Sequence, residues 1–136
     1  MGETAVYLEN GSKRVMAVAL DWPGWFCGGR TEEEALQGLL DAGPRYAAIV
    51  QPVGLPFDPP RQLSDLVVAH RLQGHSGTDY GVPEMIAPGD EASMDAAELE
   101  RAITLLKACW DAFDRAAEFG EGKELAKGPR GGGRSL

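Results

Sequence analysis

The chain has 136 residues, 43% hydrophobic and 25% charged, a balance that gives a globular protein enough apolar material for one core. A formal net charge of -8 argues against a nucleic-acid binder, because phosphate neutralisation needs a basic face, so no direct nucleic-acid binding is expected. It leaves a solvated acidic surface or a small basic protein partner, and the two cysteines, Cys27 and Cys109, make neither a disulfide framework nor a CxxC zinc site.

Residues 1–14 (MGETAVYLENGSKR) lack the apolar core of a signal peptide. They also lack the Ser or Thr of a myristoylation signal. The longest apolar run, residues 15–20, is too short to cross a bilayer. A cytoplasmic protein without membrane contact is expected.

Residues 4–9 (TAVYLE) read as a strand, and Asn10-Gly11 signals a hairpin because both residues tolerate positive φ. Residues 14–21 (RVMAVALD) are the return strand. They are apolar at nearly every position, which requires both faces covered, or one face on a helix with small alanines outward. Trp22-Pro23-Gly24 fits a type II turn, since Pro presets φ and Gly supplies an unusual one. Residues 25–28 form a short third strand.

Thr31 and Glu34 form a capping box, with Glu34 expected to reach back to the amide of Thr31. Ala35, Leu36, Leu39 and Leu40 make an apolar stripe. Gly43-Pro44 interrupts it, because Pro removes an amide donor and disfavours helical geometry before it. One kinked helix over residues 32–51 is expected, with two shorter helices as the alternative. Residues 51–62 hold four prolines and read as an extended loop. Residues 65–73 read as a fourth strand, and residues 74–93 as a long irregular stretch.

The clearest helix spans residues 94–120. Leu99, Ile103, Leu106, Trp110, Phe113 and Ala117 recur at alternating steps of four and three, and Leu105, Cys109, Ala112 and Ala116 widen that face. Asp95 with Glu98, or Ser93, caps its start. Gly120 and Gly122 end it. So wide an apolar face requires burial on the sheet, on a second helix or on another copy of the chain. Residues 121–136 form a Gly-rich tail, expected to link to a further helical region of a longer protein.

Asp21, Pro23, Gly24, Gly28, Thr31, Glu32, Glu33, Glu34, Ala35 and Leu36, in that order of elements, resemble the HicB antitoxin family over about residues 4–73. That family reads D-L-P-G-C, then T-x-E-E-A; here Trp22 replaces the Leu and Trp25 the Cys. The resemblance implies an α+β fold, a degenerate RNase H-like β-β-β-α-β module, followed here by the long amphipathic helix. It further implies no nuclease activity, oligomerisation, and a grip on a small basic RNA-cutting toxin. The ribbon-helix-helix or helix-turn-helix region of many members is not recognisable. Residues 95–119 and the Gly-rich tail resemble the opening of a DinB or YfiT-like helical bundle. Metal-binding members of that group use three histidines on different helices, whereas this chain has only His70 and His75, so no metal site is carried over.

Other motifs have plainer readings. GPRGGGRS (residues 128–135) approximates a phosphate-binding loop but follows a helix instead of a strand, so a linker is expected. His70, His75 and Asp79 fall on a strand and a loop, where five-residue spacing points to opposite faces. Cys27 lies close in sequence to the helix start near Thr31, which could stabilise a thiolate, but a buried structural thiol is the expected reading, and Cys109 sits in the helix stripe. Trp22, Trp25 and Phe26 are candidate partner-binding anchors if exposed, the competing expectation being packing beneath a helix. Asp58, Asp65, Asp79 and Glu84 are scattered loop acids, and residues 74–89 are the place where a small-ligand pocket would form. No catalytic, cofactor or metal site is expected. The reading is a non-enzymatic module that acts by self-association or on a small basic partner. The alternatives are the front part of a DinB-like metal-dependent transferase or hydrolase, and a small-ligand-binding module.

Overall fold

A computed structural model describes residues 2–126 and the backbone of residues 134–135. Strands β1 (Thr4–Asn10), β2 (Val15–Ala19), β3 (Phe26–Gly29) and β4 (Leu66–Gln73) form one mixed sheet in the order β3-β2-β1-β4. The first three make an antiparallel meander, and β4 lies parallel to β1. A parallel neighbour needs a crossover, which helix α1 (Glu32–Val50) provides. The chain is thus α+β, as expected.

The hairpin tip differs in detail from the expectation. Neither Asn10 nor Gly11 has positive φ. Asn10 pairs with Val15 and the amide of Gly11 donates to Arg14 O at 2.8 Å, so Ser12 and Lys13 make the tip. The carboxylate of Asp79, from far along the chain, accepts from the amides of Ser12, Lys13 and Arg14 and from the Ser12 hydroxyl. The next turn follows the sequence: Gly24 takes φ of 91°, and the Trp25 amide donates to Trp22 O, the geometry of a type II turn.

Thr31 Oγ1 accepts from the Glu34 amide at 3.1 Å, but Glu34 Oε2 takes the amide of Arg30, not that of Thr31. The helix then runs unbroken through Pro44. Gly43 is buried where the helix meets Pro59 and Trp25, and a side chain there would approach Pro59 Cβ to 3.3 Å. Tertiary contact thus holds together what local propensity would divide.

Strand alternation gives the sheet two faces, and over β1 and β2 both are covered. Val6, Leu8, Val15, Ala17 and Ala19 lie under α1 with Ala35, Leu39 and Val50. Tyr7, Glu9 and Met16 point the other way and are also buried. Residues 74–93 cover that second face, including the single turn α2 (Ser76–Asp79), which no sequence signal announced. The anchor is Glu9, fully buried. Its carboxylate accepts from the Thr78 hydroxyl, from the Glu84 amide and from the Met85 amide at 2.8 Å. A buried carboxylate persists only when hydrogen-bonded in this way.

Helix α3 (Ala96–Phe119) follows, capped by Asp95 and Glu98 in a reciprocal box. Beyond it β5 (Glu124–Leu125) pairs antiparallel with β6 (Arg134–Ser135). Most of the Gly-rich tail and its GPRGGGRS motif lie outside the described residues.

Candidate functional site

Four aromatic rings gather where the Trp-Pro-Gly turn meets α1. Trp25 stacks on Tyr46 with centroids 5.9 Å apart, and Phe57 meets Trp22, Trp25 and Tyr46 edge-on. Trp25 Nε1 donates to Leu39 O at 3.0 Å, and the Tyr46 hydroxyl donates to Pro23 O at 2.8 Å. Burial pushes the Tyr46 phenol well above its ordinary range.

This cluster decides the three candidate anchors. Trp25 is 2% exposed and belongs to the core. Trp22 is half-buried, and its ring is covered by the Arg101 guanidinium, 4.4 Å from the centroid. Phe26 stands exposed on the opposite face of the sheet, beside Val18 in register. The three residues therefore form no common patch, because consecutive strand positions alternate faces.

The surface that does form lies on α3. The helix docks through Leu105 and Ala108, both buried, with Cys109 and Ala112 half-buried beside them. Arg101 fixes its first turns, donating to Asp21 O at 2.7 Å. Burial raises the Cys109 thiol pKa. All these docking side chains except Leu105 and Arg101 are small. The large ones face outward: Leu99, Ile103, Leu106, Trp110 and Phe113 are between 44% and 72% exposed. The sequence identified this stripe and required it to be covered. Within the described chain it is not covered; the narrower row beside it is. Scattered exposed apolar side chains are ordinary, but a continuous row of five is not.

The remaining candidates lie apart from this row. Asp79 is committed to the hairpin tip, which holds its carboxyl at about 2, chiefly through the Ser12 hydroxyl and then the Lys13 amide. His70 is exposed on β4. The His75 amide donates to Thr78 Oγ1. Among the described residues no group of three or more His, Cys, Asp or Glu is placed to hold a metal. Cys27 is half-buried against Gly38 of α1. Asp65 accepts from the amides of Arg61 and Gln62, which lowers its pKa. Glu84 accepts from the Gly77 amide.

Depressions open to solvent among the described residues include these three. One, about 600 Å³, lies between α1 and the proline-rich loop beside Gln37, Asp41, Pro44 and Pro59. A second, about 430 Å³, separates the Trp-Pro-Gly turn from the start of α3. The third, about 350 Å³, lies beside residues 74–89, the place the sequence marks for a small-ligand pocket; Ser12, Lys13, Ser76, Asp79 and Tyr80 line it. None is walled by the apolar side chains that usually enclose a small molecule.

Glu9 is the residue that sequence reading missed. An acidic residue inside an apolar strand pattern was its only mark. No described helix is long and apolar enough to cross a membrane. Comparison with family models, with curated proteins and with solved structures finds no match to this chain.

Proposed function

We propose that the chain is a non-enzymatic protein-binding module of HicB-like kind that works through protein contacts. The observation that carries this is the outward row of large apolar side chains on α3, set on a body of net charge -8. Apolar rows of this size on a folded surface mark contact sites. The acidic remainder suits a small basic protein, because opposite charge speeds and orients encounter. The HicB-like part of the reading rests on the Asp21, Pro23, Gly24 turn followed by the Thr31 to Leu36 cap.

Native purification of the full chain with mass spectrometry and metal analysis tests this. The expected result is a stoichiometric complex with a small basic protein, or with a second copy of the chain. A chain that stays alone at every concentration overturns the reading. So does one that carries stoichiometric zinc or nickel, which would favour a metal-dependent enzyme.

A further inference from the structure

We infer that the outward row of α3 is one half of a helical seam, and that its partner is α3 of a second copy of this chain. This rests on the protein-contact reading above and names the partner of that surface. The row runs Leu99, Ile103, Leu106, Trp110, Phe113, Ala117, at steps of four, three, four, three and four. That is a repeat averaging 3.5 residues, the spacing that brings one helix against another with the same spacing. A straight helix drifts about 20° per seven residues from such a repeat, so three repeats stay on one side.

The helix is therefore used twice. Leu105 and Ala108 hold it to the body, and the seam lies on another side, where Leu99, Ile103, Leu106, Trp110 and Phe113 are exposed. Every copy carries the same row, so a two-fold pairing satisfies both at once. The seam positions carry no charge, so a basic partner would find no complement on the row itself. Its flank does carry charge: Glu100, Lys107 and Asp114 follow the row at seven-residue steps. In an antiparallel pairing that sets Ile103 against Leu106 and Leu99 against Trp110, Glu100 of one copy comes beside Lys107 of the other, twice.

The area suffices. An aromatic side chain buries about 150–250 Å², so at these exposures the row offers on the order of 500 Å² per copy. A pair then buries about 1,000 Å², the threshold for a specific interface.

Sedimentation of the full chain at micromolar concentration tests the inference, with L106E/W110E as the disrupting variant. Both positions are exposed, and circular dichroism verifies that the variant still folds. The expected wild-type mass is about twice 14.5 kDa, with the variant at the single-chain mass. K107E alone weakens the pair, and E100K with K107E restores it. A wild-type monomer overturns the inference, as does a dimer that survives L106E/W110E. If the monomer binds a small basic protein, the protein-contact reading stands without the seam; if it binds nothing, both fall.

Discussion

The hydroxyl of Thr78 donates to Glu9 Oε2 at 2.5 Å, across 69 residues of chain. Both groups are fully buried. This contact, with the amides of Glu84 and Met85, fastens the long loop to the second face of the sheet. Replacing Glu9 by Ala leaves several buried donors unmatched, each costing about 1–3 kcal/mol. We expect Glu9→Ala to lose about 3 kcal/mol or more in denaturant unfolding. Thr78→Val removes one donor and is expected to lose about 1–2 kcal/mol. Amide exchange at Glu84 and Met85 is expected to rise in both variants before global unfolding. Unchanged exchange would mean that the loop is held by other contacts.

Trp25 and Phe26 are neighbours in sequence with opposite roles. Trp25→Ala empties a packed aromatic cluster and is expected to cost about 3–5 kcal/mol. Phe26→Ala removes a side chain 44% exposed on an edge strand, and its cost is expected to stay near or below about 1 kcal/mol. Urea unfolding of both variants checks this. Equal losses would show that Phe26 packs more tightly than its exposure indicates.

The sequence made the α+β fold legible because its punctuation is local. The Trp-Pro-Gly turn, the Thr31 cap and the four-three steps of α3 each act within a few residues, and each was found where expected. What it could not convey depends on distant partners. Unlike the single helix through Pro44, the first of the two expectations, Asp79 bracing a hairpin tip and Glu9 holding a loop are decided by residues far apart in the chain. The same holds for the candidate surface. Periodicity located the α3 row, but only the fold shows that Leu105 and Ala108 dock while Trp110 and Phe113 face out. For Trp25 an apolar side chain in a short strand gave no sign of which face it would take.

Asp79 gives a pH signature. Its folded pKa of about 2 lies below the ordinary 3.8, so the folded chain binds this proton less readily than the unfolded chain. The resulting stability is complete above about pH 4 and is lost as the pH falls through about 2. Wild type is expected to melt above Asp79→Ala by a constant margin from neutral pH to about 4, with the margin closing toward 2. Thermal melts across that range test it. A margin that persists at the acid end would assign the effect to packing rather than to the carboxylate.

Gly28 and Gly29 lie side by side on β3 yet face opposite neighbours. A side chain at Gly28 would meet Met16 Sδ at 3.0 Å, the flexible end of a long side chain that can move aside. A side chain at Gly29 would meet the backbone of the α1 start, with Ala35 N at 2.6 Å and the Glu34 carbonyl carbon at 2.9 Å. Backbone cannot yield without moving the capped first turn off the sheet, and forced overpacking of this kind typically costs about 1–3 kcal/mol. Gly29→Ala is therefore expected to lower the unfolding free energy by at least about 2 kcal/mol, and Gly28→Ala by clearly less. Because Thr31 caps α1 only two residues further on, the Gly29 variant is also expected to lose helical signal at residues 32–35 by NMR. If Gly28→Ala proved the worse of the two, α1 would not sit as closely on the end of β3 as this geometry requires.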